Sequence, residues 1–215
     1  MRNQAFALAG VTILLTLTGC QTVYYDTMEK FGIHKRDILV DKIEDARDEQ
    51  SEAKDQFKSA LEQFTAVVNF DGGNLEKEYN RLNDALTRSE AKAKAVHTSI
   101  SDVEGVAKAL FREWEQELDQ YNNPEFRRES ERQMRTTQTK YNQLINAMRR
   151  AESKIEPVLV PFRDQVLFLK HNLNARAIAS LQNELDSIEN DVSLLIKEME
   201  ESINEANAFI ESMGT

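Results

Sequence analysis

One residue has a type, a position and neighbours that together specify a covalent chemistry, and it is Cys20. It closes the run Leu17-Thr18-Gly19-Cys20 and is the only cysteine among 215 residues. A thiol placed there is suited to thioether attachment of diacylglycerol. The two small residues before it let an extended chain enter a signal peptidase. The preceding residues agree: Arg2 supplies one positive charge, and residues 5–17 form an apolar run. These are the n-region and h-region of a secretory signal. The run falls short of the roughly 20 apolar residues that a membrane-spanning helix needs. The expectation is a lipoprotein signal peptide over residues 1–19, cleavage before Cys20, and a lipidated tether over residues 20–34. Two or more acyl chains anchor stably where a single one is marginal. Gln21, rather than Asp, follows the cysteine and points to the outer membrane, with the body facing the periplasm.

Other chemistry-bearing residue types are present in patterns that do not converge. A lone cysteine allows neither an internal disulfide nor a cysteine metal site. His34, His97 and His171 fall far apart along the chain. In an antiparallel helical rod they would lie near the base, the middle and the far tip, too distant to share a metal ion. Asp71-Gly72-Gly73-Asn74 is glycine-rich but lacks the Gly-Lys-Ser/Thr of a phosphate loop and follows no strand, so it reads as a turn. Glu113, Glu115 and Glu117 alternate around Trp114 and point in different directions on a helix. A glycosidase pair must instead face across a cleft. No cofactor, metal site or catalytic residue is expected, and the chain is read as non-enzymatic.

The elements that position these residues are long helices. Only 7 Gly and 3 Pro occur, and 30% of residues are charged. A first helix is expected over residues 35–70, with Leu39, Ile43, Ala46, Ala53, Phe57, Leu61, Phe64 and Val68 at three- and four-residue steps and Gln50 as a polar gap. That rhythm is the seam of a bundle or coiled coil. A second, over 75–121, keeps the rhythm unbroken from Leu75 to Trp114. Asn122-Asn123-Pro124 then supplies an N-cap and a first-turn proline. A third is expected over 124–170, kinked or broken by Pro157 and Pro161. A fourth runs over 175–213, with Ile178, Leu181, Leu185, Ile188, Val192 and Leu195 opening its stripe. Short connections force neighbours antiparallel. The fold class is therefore all-α: an elongated antiparallel four-helix bundle or coiled coil over residues 35–215, behind a cleaved signal peptide. The start of the first helix, the Asn122-Asn123 turn and the C-terminus should share the membrane-proximal end.

Charge and hydropathy mark three further features. The formal net charge is −10, which argues against non-specific nucleic-acid binding. The third helix is locally basic (Arg127, Arg128, Arg132, Arg135, Lys140, Arg149 and Arg150), while the fourth is rich in Glu and Asp. Pairing between those two helices is the favoured expectation, and a basic stripe for an acidic partner is the alternative. Residues 155–169 are apolar on more than one helical face. They are expected either to thicken the core or, through Val158, Phe162, Val166 and Phe168, to form an interaction surface at the distal tip.

The stretch Tyr24-Tyr25, Met28-Glu29-Lys30-Phe31-Gly32-Ile33-His34-Lys35-Arg36-Asp37-Ile38-Leu39-Val40-Asp41 stands ahead of the segment from Phe57 to Phe70 and the Asp71-Gly72-Gly73 turn. Together they resemble a family of Gram-negative lipoproteins catalogued as domain of unknown function 2959. The resemblance covers essentially the whole mature chain. It implies a helical envelope lipoprotein and transfers no catalytic or binding residue. Near the anchor, Tyr24, Tyr25 and Phe31 suit either the base of the bundle or the membrane interface. His34-Lys35-Arg36 would place positive charge where anionic head groups lie.

The functional expectation is a membrane-anchored, non-enzymatic helical module that binds an envelope protein or itself. The runner-up is a module for lipid or cell-wall fragments, held where Pro157 and Pro161 splay the helices. An envelope hydrolase ranks last.

Overall fold

The computed structural model describes residues 34–214. Cys20, residues 1–19 and the aromatic residues of the tether lie outside that range. Among the described residues six helices follow one another: α1 (Lys35–Val68), α2 (Leu75–Leu118), α3 (Pro124–Ser153), α4 (Ile155–His171), α5 (Ala175–Gln182) and α6 (Leu185–Gly214). No strand occurs among the described residues.

The helix boundaries follow local chemistry. Gly72 and Gly73 take φ of 148° and 113°, a region that side chains with a Cβ avoid, and this turns the chain after α1. Asn74 then accepts a hydrogen bond from the Lys77 amide at 3.1 Å and caps α2. Asn123 accepts one from the Glu125 amide at 2.8 Å, with Pro124 opening α3. Asn174 caps α5 in the same way.

The four rods of the sequence reading are present, two of them subdivided. The third rod breaks at Lys154, between α3 and α4. Pro157 explains the position: its ring collides with the carbonyl four residues back, which belongs to Ser153, the last residue of α3. Pro161 stays inside α4. The fourth rod, expected to be continuous, is interrupted at Asn183-Glu184. There the amides bond three residues back, to Ser180 and Leu181, and tighten the turn.

Cross-helix bonds fix the antiparallel order. Between α1 and α6, Arg47 meets Asn207, Gln50 meets Ser202, and Lys54 meets Glu200, so one number rises as the other falls. Between α1 and α2, Lys35 bonds Glu113 and Lys92 bonds Glu49. Arg149 of α3 and Arg163 of α4 meet Glu104 and Glu90 of α2. The third rod therefore runs alongside α2, and α6 closes the ring against α1 and α3. The Phe64 and Phe162 rings, 5.3 Å apart, meet across the interior. The start of α1, the α2–α3 turn and the end of α6 share one end, as expected. The core is continuous from Leu39 and Val103 through Phe57 and Ile188 to Phe162 and Leu181. No helix among the described residues is long and apolar enough to cross a membrane.

Candidate functional site

Of the two readings of the apolar segment, thickened core or distal surface, core holds for three of the four named residues. Val158, Phe162 and Val166 are 1%, 2% and 4% exposed. They recur every fourth residue on the inward face of α4, where Phe162 packs on Phe64. A binding face made of these residues is thus corrected to a packed interior. Beside Phe162, where the ligand reading looked for a cavity, the Phe64 ring is packed at 5.3 Å. Only Phe168, 42% exposed, points outward, beside the exposed Leu167.

The charge pairing between the third and fourth rods is also corrected. Among the described residues, Arg150 is the basic residue of α3 that pairs with α6, at 3.5 Å from Glu198. Arg127 bonds Asp119, while Arg132 and Arg135 pair with Glu129 and Glu131 on their own helix. Arg149 forms a two-pronged bond with Glu104 of α2, at 2.9 and 2.6 Å, and also holds Glu152. Hydrogen bonding by Glu104, foremost, raises the guanidinium pKa further above its usual range. Glu52 and Glu49 hold Lys92 raised in the same manner between α1 and α2.

The histidines stay apart: His34 precedes α1, His97 Nδ1 lies 2.6 Å from Glu152, and His171 ends α4. No three His, Cys, Asp or Glu converge on a metal-binding geometry among the described residues. Glu113 accepts a hydrogen bond from the buried Lys35 at 3.0 Å.

One polar opening lies at the opposite end from Phe162. The first half of α3, residues 124–140, contributes no buried residue; burial begins with Leu144. Its sequence explains this, because Phe126 and Met134 are the only large apolar residues there. A helix without an apolar stripe cannot seat in a core. It is held instead by point contacts. Trp114 Nε1 donates to Ser130 Oγ at 2.8 Å, and the Phe111 and Tyr141 rings meet edge to face at 5.6 Å. Burial, then the nearby Glu104, pushes the Tyr141 phenol up to about 12.

A groove of about 430 Å³ lies between this half-helix and the ends of α1, α2 and α6. Leu110, Trp114 and Met213 give it apolar surface; Arg36, Arg132 and Lys140 give it cations. A second groove of about 370 Å³ flanks the other side of the half-helix, near Phe111 and Met134. Lys35, expected to face outward with Arg36, turns inward to Glu113, so Arg36 is the cation of that pair left facing solvent. The groove was not foreseen as a site. Its signals were the polar run after Pro124 and the basic stripe on the same helix.

A family model described as "Protein of unknown function (DUF2959)" matches residues 24–213. The chain belongs to that family. Within DUF2959 the matched region takes in the whole bundle and both grooves, and begins four residues after Cys20. Neither the curated proteins nor the solved structures contain a match.

Proposed function

We propose that this DUF2959 chain is an envelope lipoprotein, anchored through acyl chains on Cys20 and acting as a non-enzymatic helical interaction module. One observation carries the anchoring: residues 1–23 lie outside the family match, and their boundary falls just past Leu17-Thr18-Gly19-Cys20. A removable leader followed by a lipidated tether would leave that pattern. The antiparallel rod supports the module role, since it extends a long, charged surface away from a fixed base. The proposed place is the outer membrane, periplasmic side, with an envelope protein or a second copy as partner.

The test is metabolic labelling with a palmitate analogue, followed by mass spectrometry of the N-terminal peptide. The expected result is an acylated peptide beginning at Cys20, lost in Cys20→Ala. A labelled chain that retains residues 1–19, or an unlabelled wild type, would sink the anchoring. Crosslinking in intact cells tests the partner role, which needs a reproducible adduct.

A ligand-binding role has one specific observation in its favour, the groove beside Trp114. Its place is the base of the rod and not the Pro157–Pro161 region.

A further inference from the structure

We propose that the groove between the first half of α3 and the base of α1, α2 and α6 binds the phosphate-bearing head of an anionic phospholipid. The location draws on the anchoring proposed above; the chemistry does not.

Its cations come from two elements. Arg36 stands at the first turn of α1, and Arg132 and Lys140 stand on α3. The lining contains one carboxylate, Glu129, which is already engaged by Arg132 at 2.9 Å. Arg36 and Lys140 are exposed and have no ion pair among the described residues. The groove is thus locally positive on a chain whose net charge is −10. Cations left unpaired on an acidic protein favour an anionic ligand, and guanidinium forks suit phosphate oxygens.

The rest of the lining fits the remainder of a phospholipid head. Thr137 and Gln133 offer hydroxyl and amide groups to ester and glycerol oxygens, while the Thr136 hydroxyl donates to the Arg132 carbonyl at 3.0 Å and is left only as an acceptor. The indole N–H of Trp114 is committed to Ser130, so its ring contributes apolar surface beside Leu110 and Met213. That surface suits the first methylenes of an acyl chain. A volume of about 430 Å³ accommodates a head group and little more. The groove opens at the end where the chain leads back to Cys20. The 14 intervening residues reach at most about 50 Å when fully extended.

Trp114 is the only tryptophan, so its emission reports on the groove alone. The lipidated full-length mature chain, in a neutral detergent, would be titrated with short-chain phosphatidylglycerol, short-chain phosphatidylcholine and inorganic phosphate. The expected result is a Trp114 emission shift with phosphatidylglycerol at concentrations about tenfold or more below those of the other two. Arg36→Gln with Lys140→Gln should erase that preference while circular dichroism stays unchanged. Lys77→Gln with Arg81→Gln, an equal charge change at the far end, should leave it intact. Equal response to both lipids, an equal response to inorganic phosphate, or equal loss in the far-end control would overturn the proposal. So would a silent Trp114. Acylation at Cys20 is scored separately. Head-group preference without acylation keeps the groove and removes the anchor; acylation without preference does the reverse.

Discussion

Gln50 and Ser202 are both fully buried, and the Ser202 hydroxyl donates to Gln50 Oε1 at 2.7 Å between α1 and α6. Gln50 Nε2 is buried without a hydrogen-bond partner. A polar pair at a seam position costs stability and fixes which residues face each other. Ser202→Ala should therefore destabilise by about 1–3 kcal/mol, because it strands the remaining amide. Gln50→Leu combined with Ser202→Ala should recover that loss or exceed wild type. Denaturant midpoints at unchanged m-value measure both. A double variant less stable than Ser202→Ala alone would show that the pair is net stabilising.

Tyr141 gives a second prediction at the same scale. Its folded pKa is raised to about 12, so the neutral phenol is the form that the fold favours. An unfolded tyrosine ionises near pH 10. The stability from this group is complete below about pH 10 and falls as pH rises towards about 12. The phenol is partly exposed, so the loss is discounted to roughly 1–2 kcal/mol. Tyr141→Phe should flatten that alkaline decline in thermal melts. Absorbance titration should show one late tyrosine, absent in the variant. A wild type and variant that decline in parallel would refute the assignment.

At the scale of elements, α4 separates inward from outward residues. Phe162→Ala should cost about 3–5 kcal/mol, as expected for a large buried ring. Phe168→Ala should stay within about 0.5 kcal/mol. Similar losses at both would place Phe168 in a contact that the monomer does not contain. The half-helix at the start of α3 behaves oppositely to α2: amides of residues 125–140 should exchange with solvent well before those of residues 144–151. Equal protection along α3 would mean that a partner or another part of the chain covers the first half.

What was legible in the sequence divides along the same line. The seam of α2 could be followed through Leu82, Val96, Ile100 and Val103 because apolar steps of three and four match the helical turn, and all four are fully buried. The α3–α4 break is placed by Pro157, although the sequence alone left two prolines to choose from. The four-residue step from Phe57 puts Leu61 at the α1 seam in sequence, yet Ala60, three residues after Phe57 and four before Phe64, takes the buried position and Leu61 packs at its edge. The facing of α4 could not be read, since apolar residues on several faces carry no periodic signal. The groove escaped for a different reason. It arises where the first half of the third rod lacks an apolar face, and a missing contact leaves only polarity in the sequence.

For the whole molecule, the decisive quantity is length against width. The longest helix, α2, has 44 residues and spans about 66 Å at 1.5 Å rise. Four rods side by side give a cross-section only two helices wide, roughly 20–25 Å. A globular chain spanning residues 20–215 would have a radius of gyration near 16 Å, whereas a rod of these dimensions should give about 20 Å or more. Solution scattering on Cys20→Ala protein that starts at residue 20 distinguishes the two. A value near 16 Å would mean that the helices fold back on one another, which would remove the physical basis for a base and a tip. A value of about 20 Å, with a cross-section set by two helices, would keep the two ends of the molecule far apart. The basic groove and the exposed Phe168 would then lie too far apart to serve one small ligand. Any role joining them would require the rod to bridge two separate surfaces.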